Sequence, residues 1–306
     1  MIELEHVFKK FGPRLVVEDL MLHVPAGEIY GLLGHNGAGK STAIGMMLGQ
    51  VWPTSGEVRI CGFEVSSQRG KALSKVGAIF ESPCFYDYLS GRRNLEILSS
   101  YTRPTSPARM REVIEWVGLA GRENSKVRTY SHGMRARLAL AQALLPQPEL
   151  LILDEPSDGL DPEGIHEMRQ TILRLHRELG LTILLSSHLL SEVEQLCTRI
   201  AVLNQGRKVF EGSLAETRQR QNWVLLKVAD FEPTVHALKG AGLIADARDG
   251  RFVALSPGVG TDQIVNFVVE RKMPLYEIAR EEETLEDFYL SLMNSGRSPT
   301  GGLTKK

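Results

Sequence analysis

The sequence has no excess of charge of one sign and no long apolar run. Its 306 residues include 36 lysines and arginines and 37 aspartates and glutamates, which gives a formal net charge of -1. Proteins that mainly grip nucleic acid usually have a basic excess, so we expect no nucleic-acid partner. No apolar segment approaches the ~20 residues that a membrane-spanning helix needs. The opening "MIELEHVFKK" lacks the apolar centre of a signal peptide. We therefore expect a soluble, cytosolic chain unless another protein recruits it elsewhere.

Cysteine is also scarce. The three cysteines, Cys61, Cys84 and Cys197, are far apart and have neither the spacing of metal ligands nor that of a disulfide framework. We expect them to be buried, reduced thiols. Hydrophobic residues make up 42% of the chain, which is enough for a sizeable core, and the length predicts two domains.

The order of predicted elements indicates an α/β fold. Residues 1 to about 30 are β-rich, residues 89–145 have helical spacing, and the apolar strands "IYGLLG", "LLILD" and "TILLSS" alternate with helices. This alternation predicts a mostly parallel sheet covered by helices. Residues 213–294 follow the order β, α, β, β, α, β, α of a split βαβ arrangement with a closing helix, a small α+β domain. The polar residues 295–306 are predicted to form a disordered tail.

A glycine-rich segment forms the clearest motif. "GHNGAGKS" (Gly34 to Ser41) fits G-x-x-x-x-G-K-[ST] and lies between a predicted strand and a predicted helix, which is the context of a phosphate-binding loop. Gly37 and Gly39, like Gly34, let the backbone amides turn toward phosphate oxygens. Lys40 is expected to reach the β- and γ-phosphates, and the Ser41 hydroxyl to contact Mg²⁺.

Two acids follow a second apolar strand. Asp154 and Glu155 come directly after Leu150–Leu153 in "LLILDEP". Because parallel sheets place ligands at the carboxyl ends of their strands, we expect Asp154 to hold Mg²⁺. Glu155 is then placed to orient and deprotonate an attacking water.

The segment "YSHGMRARLALAQALL" from Tyr130 raises a question. Ser131 is a good N-cap for a long helix, and a helix N-terminus is an anion site. The strongest phosphate motif of the chain, however, lies almost a hundred residues earlier. The segment is either a simply capped core helix or a site for an anion that another molecule holds.

Taken in this order, the motifs resemble those of the ATP-binding cassette (ABC) ATPases, over essentially all of residues 1–212. By this resemblance "GHNGAGKST" is the Walker A loop, "YSHGM" stands at the signature, "LLILDEP" is Walker B, "DGLD" is the D-loop, and "SSH" carries the switch histidine, His188. The ATP-binding residues that it implies are Phe11, Gly34, His35, Asn36, Gly37, Ala38, Gly39, Lys40, Ser41 and Thr42. The D-loop residues are Asp158, Gly159, Leu160 and Asp161. For Phe11, stacking on adenine and packing in the core both remain open.

The resemblance also answers the question that the signature raises. It implies that Ser131, His132, Gly133 and Met134 contact ATP bound to a second copy, so that two ATP molecules are sandwiched in a two-fold dimer. The sequence departs from the family at His132, which replaces a glycine, and at Met134, which replaces a glutamine. The imidazole is either a titrating donor near the phosphate or a passive exposed group.

A third departure lies in "GAIFESPCFYDYLSG", where Glu81 replaces a family glutamine that coordinates Mg²⁺. This variant resembles exporters linked to bacitracin and lantibiotic resistance. We expect Mg²⁺ to be held by Ser41, Glu81 and Asp154, and catalysis to depend on Glu155 and His188.

Phe85, Tyr86 and Tyr88 stand in the region that, in the family, receives a helix of the membrane subunit. Packing within the helical subdomain is the other interpretation of these aromatics.

The implied function is that of the ATP-hydrolysing subunit of an exporter. It would use ATP and Mg²⁺, dimerise, and act on a separate polytopic permease at the cytoplasmic face of the plasma membrane. The C-terminal domain either pairs with a second copy or packs only on its own cassette. The alternative is a soluble ABC-type switch acting on a non-membrane partner, although such chains usually have two cassettes or a long coiled-coil insertion. A small-molecule kinase would leave "YSHGM" and "DGLD" without a use.

Overall fold

The chain folds into two compact units, Met1–Leu214 and Ala215–Lys306. The computed structural model describes residues 1–80, 83–101, 105–218, 223–280 and 284–295. Each unit has its own cluster of buried apolar side chains. Among the described residues, no helix is long and apolar enough to cross a membrane. Glu81 and residues 296–306 of the predicted disordered tail lie outside the described residues.

The strands described for the first unit form two sheets. In chain order they are β1 (Ile2–Phe11), β2 (Arg14–Val24), β3 (Ile29–Leu33), β4 (Ser55–Ile60), β5 (Phe63–Glu64), β6 (Val76–Ile79), β7 (Leu150–Asp154), β8 (Thr182–Ser187), β9 (Arg199–Asn204) and β10 (Arg207–Ser213). One sheet has the order β2-β1-β4-β5 and the other the order β10-β9-β3-β8-β7-β6. The larger sheet is parallel apart from the antiparallel β9–β10 pair. The predicted mostly parallel sheet and β-rich N-terminal part are therefore confirmed.

The centre of the larger sheet is buried on both faces. Every residue of β3, β7 and β8 is buried. Strands covered on both faces need apolar side chains at successive positions rather than at alternate ones. The runs "LLIL" and "TILL" meet this requirement, and their loops then emerge at one edge of the sheet.

Helices connect these strands. In chain order they are α1 (Lys40–Met47), α2 (Val65–Ala72), α3 (Gly91–Ser100), α4 (Pro107–Trp116), α5 (His132–Leu144), α6 (Pro162–Leu179) and α7 (Leu190–Leu196), and α8 (Leu214–Arg218) follows the last strand of the first unit. Helices α3, α4 and α5, together with a short 3-10 turn at Val127–Thr129, are the helical elements expected between residues 89 and 145. Ser90, Ser106 and Ser131 cap these three helices through their side-chain oxygens, as their N-cap positions favour.

Helix α5 approaches the parallel sheet as closely as two backbones allow. A Cβ atom at Gly77 of β6 would lie 2.1 Å from the carbonyl oxygen of Ala143. Only glycine therefore permits this contact, which fixes α5 against the sheet.

The second unit is a small α+β fold. Its elements are β11 (Trp223–Val228), α9 (Phe231–Gly240), β12 (Ile244–Arg248), β13 (Phe252–Leu255), α10 (Thr261–Glu270), β14 (Leu275–Arg280) and α11 (Leu285–Ser295). The strands pair antiparallel in the order β12-β13-β11-β14. Side chains from β11, β13, α9 and α10, among others, form its core. The predicted order of elements and the split βαβ topology are confirmed.

The cysteines differ in environment. Cys197 is buried, Cys61 is partly buried and Cys84 is exposed. Burial raises the pKa of the Cys197 thiol, which keeps it protonated. The prediction of buried thiols is wrong for Cys84, because this residue lies in an exposed, irregular segment that precedes α3.

The contact of Gly77 predicts a large difference between two glycine substitutions. Gly77→Ala should lower the free energy of unfolding by about 1–3 kcal/mol or more, since the added methyl group must push α5 away from β6. Gly70→Ala is the matched control, because a Cβ atom there meets no heavy atom within 4 Å. Urea unfolding followed by circular dichroism measures both. Equal midpoints for the two variants would contradict the proposed close contact.

Candidate active site

The candidate site forms where three neighbouring parallel strands end. β8 lies between β3 and β7 and pairs with both. The chain leaves β3 into the glycine-rich loop, leaves β7 at Glu155 and leaves β8 at His188. Segments distant in sequence thus meet at the carboxyl edge of the sheet, where open α/β sheets place their ligands.

The glycine-rich loop runs from the end of β3 to the start of α1. Gly37 and Gly39 have φ values of 83° and 106°, a backbone region in which L side chains are strained. The Ala38 amide donates to the carbonyl oxygen of His35 at 3.0 Å, which closes the turn. The His35 ring lies 3.2 Å from the side-chain oxygen of Asn204, at the end of β9. The loop is therefore held by β3, from which it continues, and by the end of β9.

Lys40 is a buried cation at the first position of α1. Its residue is 4% exposed, and its Nζ donates to the carbonyl oxygen of Gly34 at 2.8 Å. The same Nζ lies 3.5 Å from Glu155 Oε1. A buried ammonium group requires such partners, because the protein interior replaces its hydration poorly. A phosphate entering this loop would compete with Glu155 for Lys40.

Glu155 follows β7 and contacts side chains that follow the other two strands, β3 and β8. Its Oε2 lies 2.5 Å from His188 Nδ1, while Oε1 faces Lys40. Its amide donates to the carbonyl oxygen of Ser186 at 3.2 Å and to Ser186 Oγ at 3.0 Å. Its φ is 48°, a conformation that is uncommon for a residue other than glycine and that costs of order 1–3 kcal/mol at functional sites. The carboxylate is thus placed between a cation and an imidazole.

Asp154 lies just inside the sheet beside Glu155. It is 8% exposed, and its Oδ1 accepts a hydrogen bond from Ser186 Oγ. Asp158 also lies close to Glu155: ligand atoms of Glu155, Asp158 and His188 lie within 4.8 Å of one another. Several acidic groups therefore share this edge with a single buried lysine of the loop.

A cleft of about 450 Å³ runs along the glycine-rich loop. The predicted nucleotide residues that line it are Phe11, Asn36, Gly37, Gly39, Lys40, Ser41 and Thr42, and Glu155, Arg14 and Val16 complete the wall. Phe11 is 49% exposed, so the interpretation of Phe11 as a core residue is wrong. Lys9 Nζ lies 4.7 Å from the centre of its ring. The wall of this cleft therefore contains both an exposed aromatic ring, Phe11, and the buried Lys40.

A second cleft, of about 540 Å³, adjoins the first at Ser41 and Glu155. Asp154, Asp158 and Leu160 line it from the sheet edge. His132 and Arg135 line it from the first turn of α5. The start of α5 therefore faces the acidic edge of the sheet within one chain.

The start of α5 is open toward solvent. Ser131 Oγ accepts a hydrogen bond from the Met134 amide at 3.2 Å, which confirms the N-cap. Ser131 and His132 are exposed, and Met134 and Gly133 are partly exposed. A Cβ atom at Gly133 would meet only Ser131 Oγ, at 3.9 Å. Among the described residues that line the 450 Å³ cleft, none comes from α5.

The "DGLD" segment connects β7 to α6. Asp158 and Gly159 are exposed, and Gly159 has a φ of 70°. Leu160 is partly buried. Asp161 caps α6, since its Oδ1 accepts a hydrogen bond from the Gly164 amide at 2.9 Å. The structure thus gives Asp161 a role within the fold, whereas Asp158 faces the site.

Residues 83–90 form a segment that we call the aromatic loop. Tyr86 and Tyr88 are 41% and 67% exposed, with ring centres 6.1 Å apart. Buried Asn94 holds the loop by bonding both the amide and the carbonyl group of Tyr86. Asp87 forms an ion pair of 2.8 Å with Arg135 of α5. The two tyrosines therefore face solvent rather than the interior of the helical subdomain, and their loop is tied to α5.

Sequence reasoning missed several groups that build the site. Ser186 positions both Asp154 and Glu155, and its signal was a hydroxyl residue at the end of an otherwise apolar buried strand. Arg14 and Val16 line the first cleft, but nothing in their sequence context distinguishes them from ordinary strand residues. Among the predicted magnesium ligands, Ser41 and Asp154 line one cleft, and Glu81 is outside the described residues.

Comparisons with known proteins agree with this geometry. A family model described as ABC transporter matches residues 17–158. The chain is similar to the bacitracin transport ATP-binding protein BcrA of Enterococcus faecalis, with 39% identity over 301 residues that cover 97% of each protein. It is also similar to the Nod factor export ATP-binding protein I of Burkholderia lata, with 39% identity over 215 residues, 69% of this chain and 70% of that protein.

A solved structure resembles the cassette. It is the dimeric post-hydrolysis state of the ATP-binding cassette MJ0796 bound to ADP and Pi, with a TM-score of 0.62 and 25% identity, covering 70% of this chain and 99% of that chain. The relatives share the ATP-binding function that the glycine-rich loop and the acidic strand end of this chain predict. The chain belongs to the ATP-binding proteins of ABC transporters and is an ATPase of that family.

Proposed function

We propose that the chain is the ATPase subunit of an ABC exporter. Two copies would close around two ATP molecules and drive a separate polytopic permease from the cytoplasmic face of the membrane. The observation that carries the proposal is the Glu155 carboxylate, held between Lys40 and His188 at the edge of a cleft. Relatives named for bacitracin transport and Nod factor export support an exporter. They do not favour the alternative of a soluble switch.

Hydrolysis would use groups that already contact one another. Lys40 would bind the terminal phosphates of ATP, which release Glu155 from its ion pair. Glu155 would then take a proton from the attacking water while the water oxygen bonds to the γ-phosphorus and the bond to ADP breaks. His188, hydrogen-bonded to Glu155, would hold the water and the γ-phosphate in line.

The residues of the second cleft suit a magnesium ion. Ser41 offers a hydroxyl and Asp154 a buried carboxylate, and both line the same cleft. Mg²⁺ prefers such oxygen donors. When bound, the ion would neutralise charge on the phosphates. The proposed ligand role of Glu81 stays a prediction.

The form of the first cleft supports a dimer. Its lining includes Phe11 and the glycine-rich loop but no described residue of α5, while the capped N-terminus of α5 is open to solvent. A helix N-terminus stabilises anions through its amides and dipole. A two-fold axis would bring Ser131 and Gly133 of each copy onto the γ-phosphate held by the other.

The aromatic loop is the proposed contact for the permease. Exposed tyrosines are frequent anchors at protein interfaces. Because Asp87 pairs with Arg135 three residues after His132, a partner docked on the loop would be linked to the N-terminus of α5. This link would let the permease respond to closure of the dimer around ATP.

Removing the proposed base or its histidine should separate binding from turnover. Glu155→Gln and His188→Ala should each retain ATP binding yet lower kcat by about 100-fold or more, the scale of general base catalysis. Filter binding and phosphate release measure the two quantities. His166→Ala is the control, since His166 is an α6 residue that lines neither cleft of the site. Near-normal hydrolysis in both variants would contradict the assignment.

A negative charge at the open start of α5 should prevent dimer closure. In a Glu155→Gln background, ATP and Mg²⁺ should convert the chain to a dimer on size-exclusion chromatography. Gly133→Glu should keep it monomeric, because the new carboxylate would face the partner's γ-phosphate. Gly70→Glu, at a similarly open position of α2, is the control. If Gly133→Glu dimerised as readily as Gly70→Glu, α5 would not contact nucleotide in trans.

The permease should copurify with the closed state. Tagged Glu155→Gln protein, incubated with ATP and Mg²⁺ in gently solubilised membranes, should recover a polytopic membrane protein in near-equal amount. Omitting ATP provides the comparison. Recovery of a ribosome or a soluble complex instead would overturn the transport proposal while leaving the ATPase assignment intact.

A further inference from the structure

Glu192 is a buried carboxylate that the proposed mechanism does not use. It lies on α7 and is 3% exposed. Its Oε1 accepts a hydrogen bond from Ser157 Oγ, and its Oε2 accepts one from Ser187 Oγ at 2.8 Å. Both serines are themselves buried. A buried carboxylate is unfavourable unless its oxygens are bonded, and here each oxygen has one hydroxyl donor.

The two serines stand beside the two proposed catalytic side chains. Ser157 follows Glu155 by two residues at the end of β7, and Ser187 directly precedes His188 at the end of β8. One side chain therefore bonds both segments that carry the Glu155–His188 pair. The direct contact within that pair is 2.5 Å, and Glu192 supplies a second connection behind it, away from solvent.

Helix α7 gives Glu192 a rigid base. Val193 and Leu196 are buried, and a Cβ atom at Gly31 of β3 would lie 2.9 Å from Cys197 Sγ and 3.0 Å from Val193 Cγ1. The helix therefore rests directly on the backbone of the strand that leads into the glycine-rich loop.

The hydroxyl of Ser187 also closes the entry to α7. Ser187 Oγ accepts a hydrogen bond from the Leu189 amide at 3.0 Å while it donates to Glu192. His188 lies between these two bonded residues, so the backbone on both sides of the imidazole is fixed. Loss of the carboxylate would leave two buried hydroxyls without their acceptor.

We propose that Glu192 is a positioning residue for ATP hydrolysis, which sets the distance between Glu155 and His188 by bonding Ser157 and Ser187. This inference rests on the proposed roles of Glu155 and His188. Glu192 lines neither described cleft, so it acts on the geometry of the reacting groups and not on nucleotide affinity. Misplacement of such groups by about 1 Å can lower rates by about 100-fold.

The test separates turnover from binding. Glu192→Ala should lower kcat by about tenfold or more, and Glu192→Gln, which keeps the volume but loses one acceptor, by a smaller factor. The dissociation constant for ATP should change by less than about twofold in both. Gln195→Ala, an exposed position on the same helix, should match the unmodified chain in both quantities.

A double-mutant cycle identifies the bonds responsible. The Ser157→Ala/Ser187→Ala variant should lose as much kcat as Glu192→Ala, and combining all three changes should add little, because they remove the same connection. Losses of kcat that add independently would show that Glu192 and the two serines do not act through one connection, and would overturn the inference. ATP-binding capacity that falls in step with kcat would indicate a loss of folded protein instead of a change in geometry, and would overturn it as well.

Two further outcomes distinguish the inference from the proposed function. If Glu192→Gln and the double serine variant kept kcat within twofold while Glu155→Gln abolished turnover, Glu192 would have no positioning role and the proposed function would stand. If Glu155→Gln retained full turnover, the proposed function would fall together with the inference that depends on it.

Discussion

The parallel pairing of β3, β8 and β7 is the constraint on which the site depends. These strands are buried throughout, and their ladders fix the points at which three loops leave the sheet. Glu155 and His188 are 33 residues apart, and Lys40 is far from both in sequence. Pairing of the strands places all three side chains within contact distance before any ligand is considered. The chemistry of the edge is therefore a consequence of hydrophobic burial in the middle of the sheet.

The first cleft and the start of α5 are separate features of the same sheet-based unit. The first cleft has an aromatic ring, a glycine-rich loop and a carboxylate, whereas the capped start of α5 lies outside its lining. Helix α5 is nevertheless fixed to the same sheet through Gly77 and tied to the aromatic loop through Asp87 and Arg135. The first unit thus presents a cleft along the glycine-rich loop, an open helix N-terminus and two exposed tyrosines.

Much of this could be predicted from the sequence, for physical reasons. Fully apolar runs such as Leu150–Leu153 are typical of strands buried on both faces, and the G-x-x-x-x-G-K-[ST] spacing leaves few alternatives to a phosphate loop. The mostly parallel sheet of the first unit was predicted on this basis, and the split βαβ topology of the second unit from its order of strands and helices. Site residues that act through contacts between distant parts of the sequence were not predicted. Ser186 and Glu192 have no local signature, because their partners are brought to them only by the sheet and by α7.

Exposure was the other property that residue type did not decide: the environment of Phe11 was left open, and Cys84 was predicted to be buried. Phe11 and Cys84 are of types that are usually buried, yet both lie on the surface. Phe11 is the last residue of β1, where the chain turns into β2, and Cys84 lies in the aromatic loop, whose Tyr86 is bonded by Asn94. In both cases the fold of neighbouring segments, and not the residue type, decides the environment.

The left-handed backbone of Glu155 restricts which residues evolution can place there. A φ of 48° suits glycine, asparagine or aspartate better than glutamate, and it excludes β-branched residues. Glycine and asparagine would relax the backbone but provide no base. Aspartate would supply a carboxylate, but one methylene group shorter than the side chain that now spans from Lys40 to His188. Position 155 therefore needs a residue that tolerates a positive φ and whose carboxylate also extends from Lys40 to His188. Few single substitutions satisfy both requirements.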